Sequence, residues 1–367
     1  MDVPFLDLRA QWADIADEAE PALLEAFRSC GFIGGPHVAG FERDYAAFAE
    51  ARHCIGVGNG TDALELAMRA AGVGPGGEVI MPANTFIATA EAASRIGARP
   101  VPVDVEDACL LIDPERIEAA ITERTQAIVP VHLYGQCAPV EQVIRVAEGH
   151  HLPVIEDAAQ SQGATRHGRS AGSLALAAAT SFYPGKNLGA SGDAGAVTTS
   201  DDGFAHQVRL VSAHGSIEKY SHEVVGLNSR LDAIHAITLA AKLRRLPAWN
   251  RARRAVAELY AELLGGIDGL RLPETLPGNE HVWHLFVVRV DQRNRVLDRL
   301  HSAGIGAGLH YPQPWYLSPA YRHLGYRPGT APVAERAADR LLSLPMFPHL
   351  KPQQQERVAD AVRRAVR

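Results

Sequence analysis

Nearly every basic position in this chain is an arginine: there are 32 of them, against four lysines, Lys186, Lys219, Lys242 and Lys351. Arginine stays protonated and cannot attack a carbon, whereas a partly desolvated lysine sheds its proton and forms an imine with an aldehyde. Lys186 stands in the glycine-rich turn Tyr183-Pro-Gly-Lys-Asn-Leu-Gly189, just after a β-type run that contains Ser181. Taken alone it reads equally well as a solvated turn residue. Upstream, Cys54-Ile-Gly-Val57 is a short apolar run, Gly58-Asn-Gly-Thr61 a turn and residues 62–71 a helix. That order leaves backbone N–H groups at a helix N-terminus beside the Thr61 hydroxyl, a setting that favours phosphate. It is also what an ordinary capped turn looks like. Phe86 follows the apolar run Glu78-Val-Ile-Met-Pro82, and Asp157 ends another, Pro153-Val-Ile-Glu-Asp157, with Gln160 three residues on.

These groups together match the needs of pyridoxal 5′-phosphate. Gly60, Thr61 and Ser181 offer N–H and hydroxyl donors to a phosphate, and Phe86 offers a flat apolar face to the ring. Asp157 would keep the pyridine nitrogen protonated, so that the ring can act as an electron sink. Gln160 could touch the ring oxygen, and Lys186 would bond the aldehyde. Each member has a bland alternative. Phe86 alone is a core residue, Asp157 a helix cap, and His132 a hydrogen-bonded structural histidine. The set, in this order, carries the reading.

Such a site needs a fold that brings distant segments to one edge. Short, continuously apolar runs near 54–57, 78–82, 100–103, 126–131, 153–157 and 194–199 alternate with helical patterns. This predicts an α/β fold with a mainly parallel sheet covered on both faces. In such sheets ligands bind beyond the C-terminal ends of the strands, where Phe86, His132, Asp157 and the Lys186 turn all fall. Helices are expected at 14–29, 38–51 and 113–121, the last starting with Asp113 and Pro114. A long amphipathic helix is expected at 231–246, continued after Pro247 by a second at 249–264, with the domain boundary near this helix pair. Beyond lie an expected strand at 283–291, a helix at 294–303, a strand at 304–311 and helices at 332–342 and 352–366. Residues 214–228 lack periodicity and read as a site loop.

The motifs are those of a known family. Phe5-Leu-Asp-Leu8, Gly58-Asn-Gly-Thr-Asp-Ala-Leu64, Pro82-Ala-Asn-Thr-Phe-Ile87, Val131-His-Leu-Tyr-Gly135, Ile155-Glu-Asp-Ala-Ala-Gln160, Ser181-Phe-Tyr-Pro-Gly-Lys-Asn-Leu-Gly189, Gly226-Leu-Asn-Ser-Arg-Leu-Asp232 and Gly308-Leu-His-Tyr-Pro312 span nearly the whole chain. With them the chain closely resembles the nucleotide-sugar aminotransferases of the DegT/DnrJ/EryC1/StrS family. The resemblance implies a fold-type I, aspartate-aminotransferase-like α/β architecture. A large domain (1–248, with an N-terminal helical segment) would hold a mainly parallel seven-stranded sheet, and a smaller C-terminal α/β domain would follow (249–367). It implies that Lys186 is the catalytic residue and that Asp157, Gln160, Phe86, Gly60, Thr61 and Ser181 hold the cofactor. Asn228 would reach the phosphate of a neighbouring subunit's cofactor, and Arg230 the donor carboxylate, making a homodimer with shared sites. Tyr183 and His310 would contact the sugar nucleotide. L-glutamate would be the donor. The Asn-Thr-Phe-Ile and His-Leu-Tyr-Gly wording resembles the subgroup acting at C3 of a dTDP-linked 3-keto-6-deoxyhexose, with UDP-linked or other keto sugars and cyclitols as alternatives. Members with histidine in place of the lysine are dehydratases, so Lys186 favours transamination. Gly185 departs from the threonine or serine often found there. A binding or regulatory protein on the same scaffold is the non-catalytic rival.

Composition narrows the rest. A chain of 367 residues, 47% hydrophobic and 21% charged, is ordinary for a globular enzyme. A net charge of −6 argues against a general nucleic-acid binder. No apolar run approaches the ~20 residues that span a bilayer. The N-terminus, with two aspartates near it, does not read as a signal peptide. Cys30, Cys54, Cys109 and Cys137 are far apart, which fits neither a zinc site nor a disulfide framework. A cytoplasmic enzyme without metal is the expectation.

Overall fold

Strands buried on both faces need no polar alternation, and the apolar runs of this chain become the central sheet for that reason. The computed structural model describes residues 2–218 and 220–367, so Lys219 lies outside the described residues. The chain opens with helices α1 (Leu8–Ala13), α2 (Ala16–Ser29) and α3 (Gly35–Phe48). Then come β1 (His53–Val57), α4 (Gly60–Ala70), β2 (Glu78–Pro82), α5 (Ile87–Arg95), β3 (Arg99–Val103), β4 (Thr125–Ile128), α6 (Val140–Gly149) and β5 (Ile155–Asp157). A short hairpin, β6 (Thr165–Arg166) and β7 (Arg169–Ser170), precedes β8 (Ala177–Ser181), β9 (Gly195–Thr199) and α7 (Asp202–Ser212). The long α8 (Ala233–Leu264) leads to β10 (Leu270–Arg271), β11 (Asn279–Glu280), β12 (Phe286–Val290), α9 (Arg293–Ser302), α10 (Pro332–Ala338), β13 (Leu341–Leu344) and α11 (Pro352–Val366).

The central sheet has the expected seven strands, as two ladders, β1-β9-β8-β5 and β3-β2-β4. Parallel bridges Ile128 to Val154 and Val131 to Asp157 join β4 to β5. Every pairing is parallel except those of β9, which runs against β1 and β8. Helices α4 and α5 cover one side through a core that includes Leu66, Met68, Val79 and Met81. A second sheet, β10-β12-β13, packs with α9, α11 and the far half of α8 around Tyr260, Phe286, Val288, Leu342 and Val358. Val3 bridges to Ile305, tying the N-terminal segment to this unit. No helix among the described residues is long and apolar enough to cross a membrane.

Four local expectations need correction. The helix pair around Pro247 is one helix, α8. Leu243, Leu246, Trp249 and Arg253 are buried on both sides of the proline, and that burial outweighs a penalty of about 3 kcal/mol. The expected helix at 113–121 is two 3₁₀ turns, Pro114–Arg116 and Glu118–Ala120. Asp113 does cap it, but from 114 to 121 just Pro114 and Ile117 are buried, too small an apolar face to hold an α-helix. The expected strand at 304–311 is reduced to isolated bridges at Ile305 and Gly308. Leu341 and Leu342, expected to end the helix at 332–342, instead begin strand β13 (Leu341–Leu344), because so short an apolar run does not distinguish the two states by period.

Alternation along β5 sends Asp157 and its neighbour Glu156 to opposite faces. The Glu156 carboxylate is fully buried. It accepts from the N–H groups of Gly172 (2.9 Å), Leu174 (2.7 Å) and Ala175 (2.9 Å). His132 Nε2 donates to it at 2.8 Å, while His132 Nδ1 accepts from the Ala138 N–H at 3.0 Å. His132 is therefore the structural histidine that its sequence setting suggested. Glu156→Ala would strand these buried donors, and we expect the apoprotein to lose about 3 kcal/mol or more in denaturant unfolding. Glu118→Ala, which removes an exposed pair with His150, should stay within about 1 kcal/mol.

Candidate active site

Beyond the C-terminal ends of β2, β5 and β8 lies a cavity of about 1110 Å³. Gly60, Thr61, Phe86, Asp157, Gln160, Ser181, Tyr183, Lys186 and His310 all line it. Asn228 and Arg230 do not; both are exposed, on the segment before α8.

At one end the cavity meets the N-terminus of α4. Asn59 is the N-cap, its side chain accepting from the Asp62 N–H at 2.8 Å. The N–H groups of Gly60 and Thr61 have no intrahelical acceptor. A Cβ on Gly60 would lie 2.6 Å from Ser181 Cβ, so glycine is what lets the end of β8 come against the helix terminus. The result is a cluster of N–H and hydroxyl donors at the positive end of a helix dipole, suited to a phosphate.

The lysine turn is built to hold its shape. Lys186 N–H donates to the Tyr183 carbonyl (2.8 Å) and Ala190 N–H to that of Phe182 (2.7 Å). Phe182 is anchored edge-on by Phe41 and Tyr45 of α3, with ring centroids at 5.4 and 5.1 Å. A Cβ on Gly189 would come 2.3 Å from the Pro184 carbonyl oxygen, so this tight return needs glycine. A second lysine closes the turn, with buried Lys242 Nζ donating to the Gly189 carbonyl at 2.7 Å. Lys186 Nζ has no hydrogen-bond or ion-pair partner among the described residues. Burial lowers its pKa to about 8, opposed by the charge of Asp157.

Asp157 accepts from the Thr89 hydroxyl (2.8 Å) and the Ala159 N–H (3.1 Å). Its burial pushes the carboxyl above the usual carboxylate range, with Thr89, Ala159, Lys186 and His132 pulling the other way. Such a carboxylate gains most from a cationic partner, which a protonated pyridine nitrogen supplies. Gln160 Oε1 accepts from the Tyr134 N–H (2.7 Å), and its Nε2 donates to the Tyr311 hydroxyl (3.0 Å). Phe86 is 50% exposed, its ring 5.3 Å from that of Tyr311. His310 stacks on Phe5 at 5.6 Å, and its Nδ1 lies 2.8 Å from Ser343 Oγ. Burial, then the Lys186 charge, lowers the His310 pKa to about 4. Among the described residues no group of His, Cys, Asp and Glu is arranged to hold a metal ion. The donor end, the apolar faces and the buried acid all suit pyridoxal 5′-phosphate.

Residues 13–363 match the DegT/DnrJ/EryC1/StrS aminotransferase family. The chain belongs to this family. It is 46% identical to the dTDP-3-amino-3,4,6-trideoxy-alpha-D-glucose transaminase of Streptomyces venezuelae, over 98% of this chain and 95% of that one. It is 48% identical to the erythromycin biosynthesis sensory transduction protein EryC1 of Saccharopolyspora erythraea, over 95% and 96%. The structure of S. venezuelae DesV in complex with a ketimine intermediate superposes with a TM-score of 0.97 at 45% identity, covering 100% of this chain and 99% of that one. The protein is thus a sugar aminotransferase of the pyridoxal-phosphate class, with the fold that its motifs implied.

Within this family member several cavity residues escaped the sequence reading. Thr89 had a signal: it lies three residues after Phe86, in the first turn of the helix that Phe86 precedes. Tyr311 sat inside a recognised motif without a role. His284, which lines the cavity and meets Asn187 at 3.3 Å, lies outside every quoted motif and had none.

The unfolded chain keeps the Lys186 proton up to the ordinary 10.5, while the folded chain releases it near 8. Through this group, stability therefore rises with pH between those values. In the apoprotein, amine labelling of Lys186, followed by peptide mass spectrometry, is expected to have its midpoint near pH 8. A midpoint near 10.5 would mean a solvated amine. Gly60→Ala should weaken cofactor binding by about tenfold or more, read by equilibrium titration, because the added methyl forces Ser181 from the helix terminus.

Proposed function

We propose that this aminotransferase moves the amino group of L-glutamate to a nucleotide-linked keto sugar, the best-supported acceptor being a dTDP-linked 3-keto-6-deoxyhexose. The observation that carries the site assignment is the meeting of an unpaired, desolvated lysine, a buried carboxylate and an open helix N-terminus in one cavity. The dTDP sugar rests on the relative named as a dTDP-3-amino-sugar transaminase. A cavity of about 1110 Å³ suits a cofactor and a sugar nucleotide together.

When bound, the cofactor supplies an aldehyde for the donor amine and an electron sink for charge at the donor α-carbon. Gly60, Thr61 and Ser181 would hold its phosphate, Phe86 would offer an apolar face to the ring, and Asp157 would pair with the ring nitrogen. Gln160 has one Nε2 proton left beyond its bond to Tyr311, and offers it to the ring oxygen. Lys186 takes the proton from the donor α-carbon with its neutral amine and later returns a proton to the new amine-bearing carbon. Phe5, Leu6 and Met346 form an apolar wall that limits water. Tyr183 and His310 contact the sugar nucleotide.

Asn228 and Arg230 complete the site of a second subunit, Asn228 at the phosphate and Arg230 at the donor carboxylate. Their exposure and their absence from their own chain's cavity support that reading. A homodimer, a cytoplasmic location for a chain with four free thiols, and a division into units 1–248 and 249–367 belong to the same proposal. The name of the EryC1 relative favours a second reading, a sensory or regulatory protein on this scaffold. The desolvated Lys186 speaks for catalysis.

A panel of nucleotide-linked 3-keto and 4-keto sugars, incubated with glutamate and followed by mass spectrometry, should give a 3-amino dTDP sugar as the main product. Amination at C4 alone, or of UDP sugars alone, would refute the stated acceptor. Lys186→Ala should lower turnover at least about a thousandfold, whereas a regulator would keep its function. Mixing Lys186→Ala with Arg230→Ala subunits should restore activity that neither has alone, because one site of the hybrid is intact. No restoration would refute the shared site.

A further inference from the structure

We propose that His284 is a fixed-tautomer hydrogen-bond acceptor in the active cavity and that it reads a hydroxyl of the acceptor sugar. This rests on the sugar-aminotransferase reading and adds a specificity-determining residue to it. The tautomer follows from a chain of amides that ends on backbone carbonyls, which can only accept. Asn250 Nδ2 donates to the Gln162 carbonyl at 2.9 Å, leaving Asn250 Oδ1 to accept. Asn187 Nδ2 donates to that oxygen at 3.1 Å and to the Val282 carbonyl at 2.9 Å. Flipping either amide would set oxygen against oxygen. Asn187 Oδ1 is therefore the atom that meets His284 Nδ1 at 3.3 Å. An acceptor there requires the proton on Nδ1, so in the neutral ring Nε2 carries a lone pair and no proton.

The surroundings keep the ring neutral. His284 is set into the cavity wall, and burial is the largest force against its protonation. Lys186 from the lysine turn, Arg253 from α8, His310 from the segment before Ser343, and His281 nearby all oppose a further positive charge. Nε2 has no hydrogen-bond partner among the described residues. It is not one of the sealed, unpartnered polar atoms either, so it is open to solvent in a residue that lines the cavity. A lone pair placed there selects for donors. The carboxylates of glutamate and the phosphates of a nucleotide offer acceptors alone, whereas a sugar ring brings hydroxyl donors. His284 thus favours a hydroxyl over a deoxy or acylated carbon at one ring position.

Histidine-selective ¹⁵N NMR of the holoenzyme at pH 7, assigned by comparison with His284→Phe or His284→Gln, tests the first half. It should show the neutral Nδ1–H form. An Nε2–H tautomer or an imidazolium overturns the proposal whatever the substrate. A keto-sugar nucleotide and analogues lacking single hydroxyls test the second half. The wild type should lose about tenfold in kcat/KM with one analogue. His284→Phe should no longer discriminate against that analogue, and its keto-sugar half-reaction should fall more than its glutamate half-reaction. His284→Gln, whose amide reaches the Nε2 position, should keep part of the discrimination. Equal discrimination by wild type and His284→Phe, or a loss confined to the glutamate half-reaction, overturns the proposal alone. No turnover of any keto-sugar nucleotide by the wild type overturns the functional reading beneath it, and with it the sugar hydroxyl, while the NMR result still stands on its own.

Discussion

The structure depends on keeping one amine and one carboxylate out of water in the same cavity without letting them neutralise each other. Burial favours the neutral form of both Lys186 and Asp157, and their mutual attraction works against burial in each case. Two hydrogen bonds tether Asp157, from Thr89 and the Ala159 N–H. Nothing comparable holds the Lys186 amine among the described residues, so its freedom to react is preserved while its basicity is cut. A direct ion pair would have reversed this, because a paired ammonium holds its proton more tightly.

Keeping that amine unpaired but in place shifts the work onto the backbone around it. The turn is pulled in from several sides. Phe182 is wedged against α3, the Gly189 carbonyl is held by Lys242, and Asn187 is bonded to Asn250 and to the Val282 carbonyl. Both α8 contacts come from the stretch flanking Pro247, so an uninterrupted helix lets one rigid rod reach both Gly189 and Asn187. The same rod carries Arg253, buried, donating to the carbonyls of Trp283 and Met346. Trp283 precedes the cavity residue His284, and Met346 itself lines the cavity, so α8 links the lysine turn to these two lining residues.

The sheet plays a parallel role. Period-two alternation divides Glu156 from Asp157, and one strand end thereby serves structure on one face and chemistry on the other. Glu156 ties β5 to the segment leading into β8 through the N–H groups of Gly172, Leu174 and Ala175. The strand bearing the acid and the strand leading to the lysine are thus fastened behind the site and left open in front of it.

Much of this was legible in the linear chain. Apolar runs of strand length, glycine turns after them and helices between them are local patterns, and they defined the parallel sheet and the edge where Gly60, Phe86, Asp157, Ser181 and Lys186 gather. Where local patterns are ambiguous the reading slipped. The proline in α8, the four-residue run of β13 and the weak apolar face after Asp113 were decided by burial partners far away in sequence. The sequence by itself determined which chemistry the chain could perform, because the scarce lysine, the acid and the phosphate-type turn each sit in a short motif. Tertiary structure alone decided how those groups are tuned and what else lines the cavity. The desolvation of Lys186, the anchoring of Asp157 by Thr89 and the tautomer of His284 are sums over neighbours distant along the chain, and no local pattern encodes such a sum.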